Sequence, residues 1–539
     1  MKQNTLNFSN CHSFYLSPVT VEEVSKIINS LKTSYSHGYD ELSSKLIKTC
    51  SDVLSIPISY LINMSFANGE FPNELKQAII KPIYKSGNQK DRSNYRPISI
   101  LSTVSKIFEK AMANRLNSFI EHFKILSSVQ YGFRKNMSTT NAIYHFITEA
   151  VNSTDNKKHT SAISLDVRKA FDMVCHKKLL NKLENYGIRS NALNWIKSYL
   201  KNRHQLVEIP FTNESKCVEH KQSTSLEVTK GVPQGSVLGP LLFIIYINDI
   251  AFLNITSKLF LFADDLSLIN SNMNLENLKS NSFIDLNVII QWLRENNFTL
   301  NTSKTQLISF NNVRLKRETE ILNMEISGKI IEPVKSINFL GLTIDENLKF
   351  ENHINVTCKK LSNSIYVLRR LSEICNVHSL LNIYYGIVHS HLKYAIIIWG
   401  KSNHSHNLFR LQKTALRVIF KMKKIDSCKN IFQSFNILTL PSLYIFECLI
   451  FFKQNEILFE NYRSNSKFKN YLTIPEHKTN LYKNFPKYNI IKLYNNLPLK
   501  LKYENSLTKF KSQLKNLLIN KTYYNIKEYF EDKELHKIK

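Results

Sequence analysis

The stretch Leu259-Phe260-Leu261-Phe262-Ala263-Asp264-Asp265-Leu266-Ser267-Leu268-Ile269 constrains this chain more than any other. Two apolar runs of strand length flank two adjacent carboxylates, which predicts a β-hairpin with a two-residue Asp-Asp tip. Aspartate disfavours strand interiors and like charges side by side repel, so the arrangement is costly unless something positive sits between them. A divalent cation supplies that compensation. A surface turn that happens to contain Asp is the other reading of this segment taken alone. Composition adds a little: Asp makes up only 13 of the 43 acidic residues, and random placement in 539 positions gives about 0.3 adjacent pairs.

A second segment tips the balance towards metal. Ala162-Ile163-Ser164-Leu165-Asp166-Val167 reads as an apolar strand ending in Asp, followed by Arg168-Lys169-Ala170-Phe171-Asp172. Two carboxylate sites borne on separate strands of one sheet can hold two oxygen-liking ions. Such a pair stabilises both the attacking and the leaving oxygen in phosphoryl transfer. Asp172 lies six residues beyond Asp166, in the following turn or helix, and reads as structural. The third piece is Gly231-Val232-Pro233-Gln234-Gly235-Ser236-Val237-Leu238-Gly239-Pro240, which uses three of the chain's 12 glycines and opens an apolar helix. Glycine lets backbone approach a ligand closely, and Pro233 fixes the turn. The Gly-Lys-Ser/Thr ending of a phosphate-binding P-loop is missing.

Charge says where a partner would lie. With 72 Lys and Arg against 43 Asp and Glu, the net charge of +29 suggests a polyanion, nucleic acid being the commonest. Residues 401–539 hold 26 basic and 10 acidic residues, so more than half of the excess falls in the last quarter. No apolar run follows the N-terminal Met1-Lys2, which argues against a secretory signal. The most apolar stretches, 241–247 and 443–452, are too short for a membrane span, so an intracellular protein in nucleus or cytoplasm is expected. Its 8 cysteines are scattered with no C-x-x-C, so neither a disulfide framework nor a zinc knuckle is expected. Helices are predicted over 19–64, 103–123, 139–152 and 177–201, and strands over 78–84, 95–101 and 161–167. The basic groups Arg314-Leu315-Lys316-Arg317 and Lys421-Met422-Lys423-Lys424 fit nuclear signals, but such runs occur too often by chance to assign one.

Together these motifs resemble a reverse transcriptase of the non-long-terminal-repeat (LINE-type) retrotransposons, of jockey-like kind. Phe262-Ala263-Asp264-Asp265 matches the family's catalytic tip, Asp166 with Lys169-Ala170-Phe171-Asp172 its first palm motif, and residues 231–240 its nucleotide- and template-side loop. Asn94-Tyr95-Arg96-Pro97-Ile98-Ser99, Gln130-Tyr131-Gly132-Phe133-Arg134-Lys135 and Asn338-Phe339-Leu340-Gly341 match in the same order, between about residues 13 and 425. The resemblance implies an α+β right-hand polymerase fold. It would comprise an N-terminal helical extension (1–64), fingers and an antiparallel palm (65–345), a helical thumb (346–425) and a basic helical C-terminal region (426–539). Many such elements encode an endonuclease ahead of the polymerase; here the polymerase portion alone is expected.

The resemblance also implies roles. Asp166, Asp264 and Asp265, with the backbone carbonyl of Val167, would bind two Mg²⁺, with Mn²⁺ as the alternative. Lys85 and Arg96 would grip the triphosphate, Lys81 competing with Lys85. Phe171 would press on the sugar and exclude a 2′-hydroxyl, and Gln234 would pack near the incoming sugar and base. Lys304 is either the group that neutralises pyrophosphate or a solvated lysine. Gly231, Pro233 and Gly235 would face template and primer, and Phe339-Leu340-Gly341 would be the primer grip. The implied partners are an RNA template, a DNA or RNA primer and dNTPs, with no membrane; oligomeric state is left open. For the C-terminal region, a template-binding surface and a basic helical domain without a ligand stand as equal readings. The rival functions are an RNA-binding copy that has lost synthesis and an RNA-dependent RNA polymerase.

Overall fold

The computed structural model describes residues 12–311, 323–326, 328–463, 471–533 and 535. The first residues and the Arg314-Leu315-Lys316-Arg317 group lie outside that set. The fold is mixed α+β, with helices before, between and after the strands. In chain order the strands are β1 (Gln77–Tyr84), β2 (Tyr95–Leu101), β3 (His159–Leu165), β4 (Arg203–Thr212), β5 (Val218–Gln222), β6 (Leu226–Val228), β7 (Lys258–Phe262), β8 (Asp265–Asn272) and β9 (Gln306–Phe310). Two small hairpins follow, β10 (Met324–Ile326) with β11 (Lys329–Ile331), and β12 (Ser336–Phe339) with β13 (Leu342–Asp345).

The central sheet runs β7-β8-β3-β9, with every neighbouring pair antiparallel. Both of its faces are covered, which is why its strands read as near-continuous apolar runs instead of alternating ones. Ala162, Phe260, Ile269 and Ile308 point to one side, against Ile143, Phe146 and Ile147 of the helix Thr139–Asp155. Ile163, Leu165, Leu261, Leu266, Leu268 and Leu307 point to the other, against the helices Gly239–Ile247 and Leu275–Glu295. The side-chain period of two thus feeds two cores from one sheet. Ser138 caps the first of these helices and Asn274 the last, each side chain accepting main-chain N–H bonds.

A second sheet holds β1 and β2 as the predicted hairpin, β4 alongside β1 in parallel, and β5 and β6 paired with β4. The predicted helix over 19–64 resolves into Val21–Ser30, Ser44–Thr49 and Ser51–Asn68, and that over 177–201 into His176–Asn185 and Ser190–Leu200. Gly187, at φ +96°, turns the chain between the last two.

After Asp345 the chain is helical, and one apolar core runs across residue 425 without a break. Leu416 and Ile419 share it with Phe432, Tyr444, Ile490, Leu514 and Tyr529. At its centre lies the helix Leu440–Gln454, buried on every side, which accounts for the apolar stretch 443–452. No helix among the described residues is long and apolar enough to cross a membrane. The helical part also docks on the helix behind the central sheet. Asn141 Nδ2 donates to Asn455 Oδ1 at 2.9 Å, Thr479 Oγ1 donates to Asp155 Oδ1 at 2.6 Å, and the Tyr144 and Phe451 rings lie 4.7 Å apart.

Candidate active site

The register of the central sheet brings the sequence-predicted carboxylates together. Leu165 faces Leu266 at the end of the β3–β8 pairing, so Asp166 and Asp265 follow at the same edge. Asp264 sits in the tight turn that closes β7 and β8 across the pair Phe262↔Asp265. The two turn residues are Ala263 and Asp264, not the Asp pair expected, and Asp265 is the first residue of β8. Ala263 holds φ at +55°, a left-handed conformation that a side chain resists.

Segment 299–304 flanks Asp166. Asn301 N–H donates to the Asp166 carbonyl at 2.8 Å and Arg168 N–H to the Thr299 carbonyl at 2.9 Å. These two bonds bracket a Val167–Leu300 bridge, so the Val167 carbonyl takes no part in either of them. Asn301 Nδ2 donates to Asp166 Oδ2 at 2.8 Å, and Lys304 Nζ stands 3.8 Å from the same oxygen. Lys304 is therefore beside the carboxylates, more than half exposed.

The electrostatics follow from the crowding. Asp264 and Asp265 keep some surface open to solvent, yet the protein around them excludes enough water to push both carboxyls above the usual range. The neighbouring carboxylates add to this, and Asp265 is pushed up to about 6. Lys85 opposes the rise at both aspartates, and Arg96 at Asp264. These two cations stand on the β1–β2 hairpin, Lys85 one residue past β1 and Arg96 opposite Ile83. Lys81 is engaged elsewhere, its Nζ 3.0 Å from Glu208 on β4.

The donor set fits a divalent ion that keeps water or substrate oxygens among its ligands. Among the described residues, no three His, Cys, Asp or Glu side chains are gathered tightly enough to ligate an ion alone. Carboxylates gathered this closely are nevertheless what a small hard cation requires, and such an ion uses one or two carboxylates plus substrate phosphates.

The loop 231–240 lies alongside. Gly231 N–H donates to the Val174 carbonyl at 2.8 Å, and Val232 N–H to the Phe171 carbonyl at 2.9 Å. The Pro233 carbonyl accepts the Ser236 hydroxyl at 2.8 Å, tightening the turn. Gly235 has φ +119°, and a Cβ there would lie 2.6 Å from the Ser99 carbonyl oxygen on β2, so only glycine fits. Gln234 Nε2 donates to Asp172 Oδ1 at 2.8 Å. The half-buried Phe171 ring stacks on Phe243 at 4.3 Å and meets Phe133 edge-on at 6.1 Å. Phe339 is buried and stacks on Phe146 at 4.4 Å, leaving Leu340 and Gly341 as the surface of the β12–β13 hairpin. The Tyr394 hydroxyl donates to the Leu340 carbonyl. That hairpin meets the central sheet alongside β9 and through Phe146, which packs on Phe260 of β7.

Three supporting residues carried no assigned role in the sequence: Gln130, Asn301 and Glu109. Glu109 is fully buried, and its Oε2 accepts the N–H groups of Val237 at 2.7 Å and Leu238 at 3.0 Å, fixing the end of the glycine loop. Gln130 lay inside a matched motif and Asn301 close to Lys304, whereas a lone Glu in an amphipathic helix gives no signal.

With that geometry in place, residues 83–344 match the family model described as "Reverse transcriptase (RNA-dependent DNA polymerase)". The chain carries a reverse transcriptase domain. It is 29% identical over 427 residues to the "Probable RNA-directed DNA polymerase from transposon BS" of Drosophila melanogaster, covering 76% of this chain and 45% of that protein. It is 28% identical over 424 residues to the "RNA-directed DNA polymerase from mobile element jockey" of the same fly, covering 76% and 44%. The chain thus spans less than half the length of these relatives. A solved apo telomerase from Candida Tropicalis aligns over 50% of this chain and 54% of that one, with 15% identity and a TM-score of 0.33, too distant to argue from. The matched span contains Lys85, Arg96 and all three aspartates, and ends just before the mainly helical part of the chain.

Proposed function

We propose that the chain is an RNA-directed DNA polymerase that adds deoxynucleotides to a primer 3′-hydroxyl on an RNA template. The observation that carries this reading is the meeting of Asp166 with Asp264 and Asp265 at one sheet edge, beside Lys85 and Arg96. Asp166, Asp264, Asp265 and the Val167 carbonyl would hold two Mg²⁺, or Mn²⁺, which when bound activate the primer hydroxyl and neutralise pyrophosphate. Lys85 and Arg96 would bind the triphosphate, Arg96 in the bidentate manner of a guanidinium. Lys304, held next to Asp166, would neutralise or protonate the departing pyrophosphate. Phe171, braced by Phe243, would press on the sugar and exclude a 2′-hydroxyl. Gln234, whose amide is fixed by Asp172, would present its remaining polar atoms to sugar and base. Gly231, Pro233 and Gly235 would let the backbone approach template and primer, and Leu340 with Gly341 would support the primer strand. The basic helical part would bind template phosphates, and the proposed setting is intracellular.

Extension of a DNA primer on a homopolymeric RNA by the purified chain tests this. Divalent-dependent dNTP incorporation is expected, and Asp264→Ala should lower it by at least about a hundredfold. Equal incorporation by Asp264→Ala overturns the assignment. Preference for rNTPs would point to an RNA polymerase, and salt-dependent RNA binding without synthesis to a binding protein.

A further inference from the structure

The turn that carries Asp264 does not hold its own shape. Ala263 is left-handed, and its N–H donates to the side-chain oxygen of Gln130 at 3.1 Å. The same oxygen accepts the Gly132 N–H at 2.8 Å, so one amide group ties two chain segments together. Gln130 is 1% exposed, and its Nε2 has no hydrogen-bond partner among the described residues. A buried amide with an unpartnered donor end is costly, so its retention places the value of the side chain in its acceptor. The segment bearing Gln130 is itself clamped to β7. Tyr131 N–H donates to the Leu261 carbonyl at 2.8 Å, and Leu261 N–H to the Val129 carbonyl at 2.9 Å. Gly132 then lies against the turn so closely that a Cβ would meet Ala263 N at 2.4 Å.

We propose that Gln130 is a positioning residue for the metal-binding pair: its amide oxygen holds Ala263 in the left-handed conformation that sets where the Asp264 carboxylate lies relative to Asp166 and Asp265. The Gln130 side-chain oxygen bonds main-chain groups, those of Gly132 and Ala263, and no carboxylate among the described residues. It acts on the main chain one residue before Asp264, as groups behind a metal ligand orient that ligand. The proposal deepens the polymerase reading, and only its activity arm rests on that reading.

Gln130→Met keeps the volume and removes the acceptor. Its kcat should fall at least about tenfold, with dNTP KM and template–primer affinity within about twofold of the parent. Mn²⁺ alone, followed by its electron-spin signal, should bind at least about fivefold more weakly. Gly132→Ala strikes the same contact from the opposite side and should give the same pattern. In the unaltered full chain, hydrogen exchange should show the Ala263 amide protected although it lies in a turn, next to the exposed Asp264. Folded variants with unchanged kcat and Mn²⁺ affinity overturn the proposal, as does an Ala263 amide that exchanges freely. Should one variant not fold, the other carries the test, and the amide measurement needs no variant. A parent that binds Mn²⁺ but never extends a primer overturns the polymerase reading and leaves these binding and exchange results decisive for Gln130.

Discussion

Glu109 carries its carboxylate into a region with no access to water, where burial pushes its pKa up and Arg203 nearby holds it down. Removing it leaves two main-chain N–H groups and the buried Arg203 without their acceptor and counter-charge. Glu109→Ala should therefore cost about 3–5 kcal/mol in chemical denaturation, and Glu109→Gln, which keeps an acceptor, clearly less. Asp265 makes a different prediction. Its folded pKa, about 6, lies above the ordinary 3.8 of an aspartate, so its contribution is fully present below 3.8 and is lost as pH rises through 6. A divalent ion relieves the repulsion that appears above that point. The rise in Tm on adding Mg²⁺ should accordingly be larger at about pH 7.5 than at about pH 5, and Asp265→Asn should flatten the difference.

Among the elements, the β12–β13 hairpin turns on two left-handed residues, Leu340 at φ +48° and Gly341 at φ +83°. A Cβ at Gly341 would find its nearest neighbours in the Tyr394 ring at 3.6 Å, so Gly341→Ala costs backbone strain alone, about 1–2 kcal/mol by thermal melting. Tyr394→Phe keeps that ring and loses the bond to Leu340, at about 1 kcal/mol. If the hairpin supports a primer, both variants should raise the template–primer concentration needed for half-maximal extension. The β7–β8 hairpin was legible in sequence because strands covered on both faces must be apolar throughout, which left its charges conspicuous. Its turn was displaced by one residue, since charge locates a carboxylate but not the Cα pair that closes the loop. Strands β4, β5 and β6 escaped notice because most of their residues are exposed; even the alternating Val207, Ile209 and Phe211 of β4 face solvent. The supporting role of Gln130 was illegible for another reason: its partners are main-chain groups, which every residue possesses.

At the scale of the molecule, the basic residues of 401–539 clothe a continuous apolar core, and sequence reading saw the coat before the body. A chain ending at residue 425 would strip Leu416, Ile419 and Trp399 of the helix Leu440–Gln454 and of the Phe510 and Leu514 layer beyond it. Such a truncation should be insoluble or lack near-ultraviolet dichroism, whereas the full chain should retain it. The Thr139–Asp155 helix backs the central sheet on one side and receives Asn455, Phe451 and Thr479 on the other. Swinging the helical half away from the sheet would mean breaking a packed interior, not bending a linker. Such a molecule resembles a fixed vice more than a closing hand: its parts are set when the chain folds, and whatever partner enters must do the adjusting.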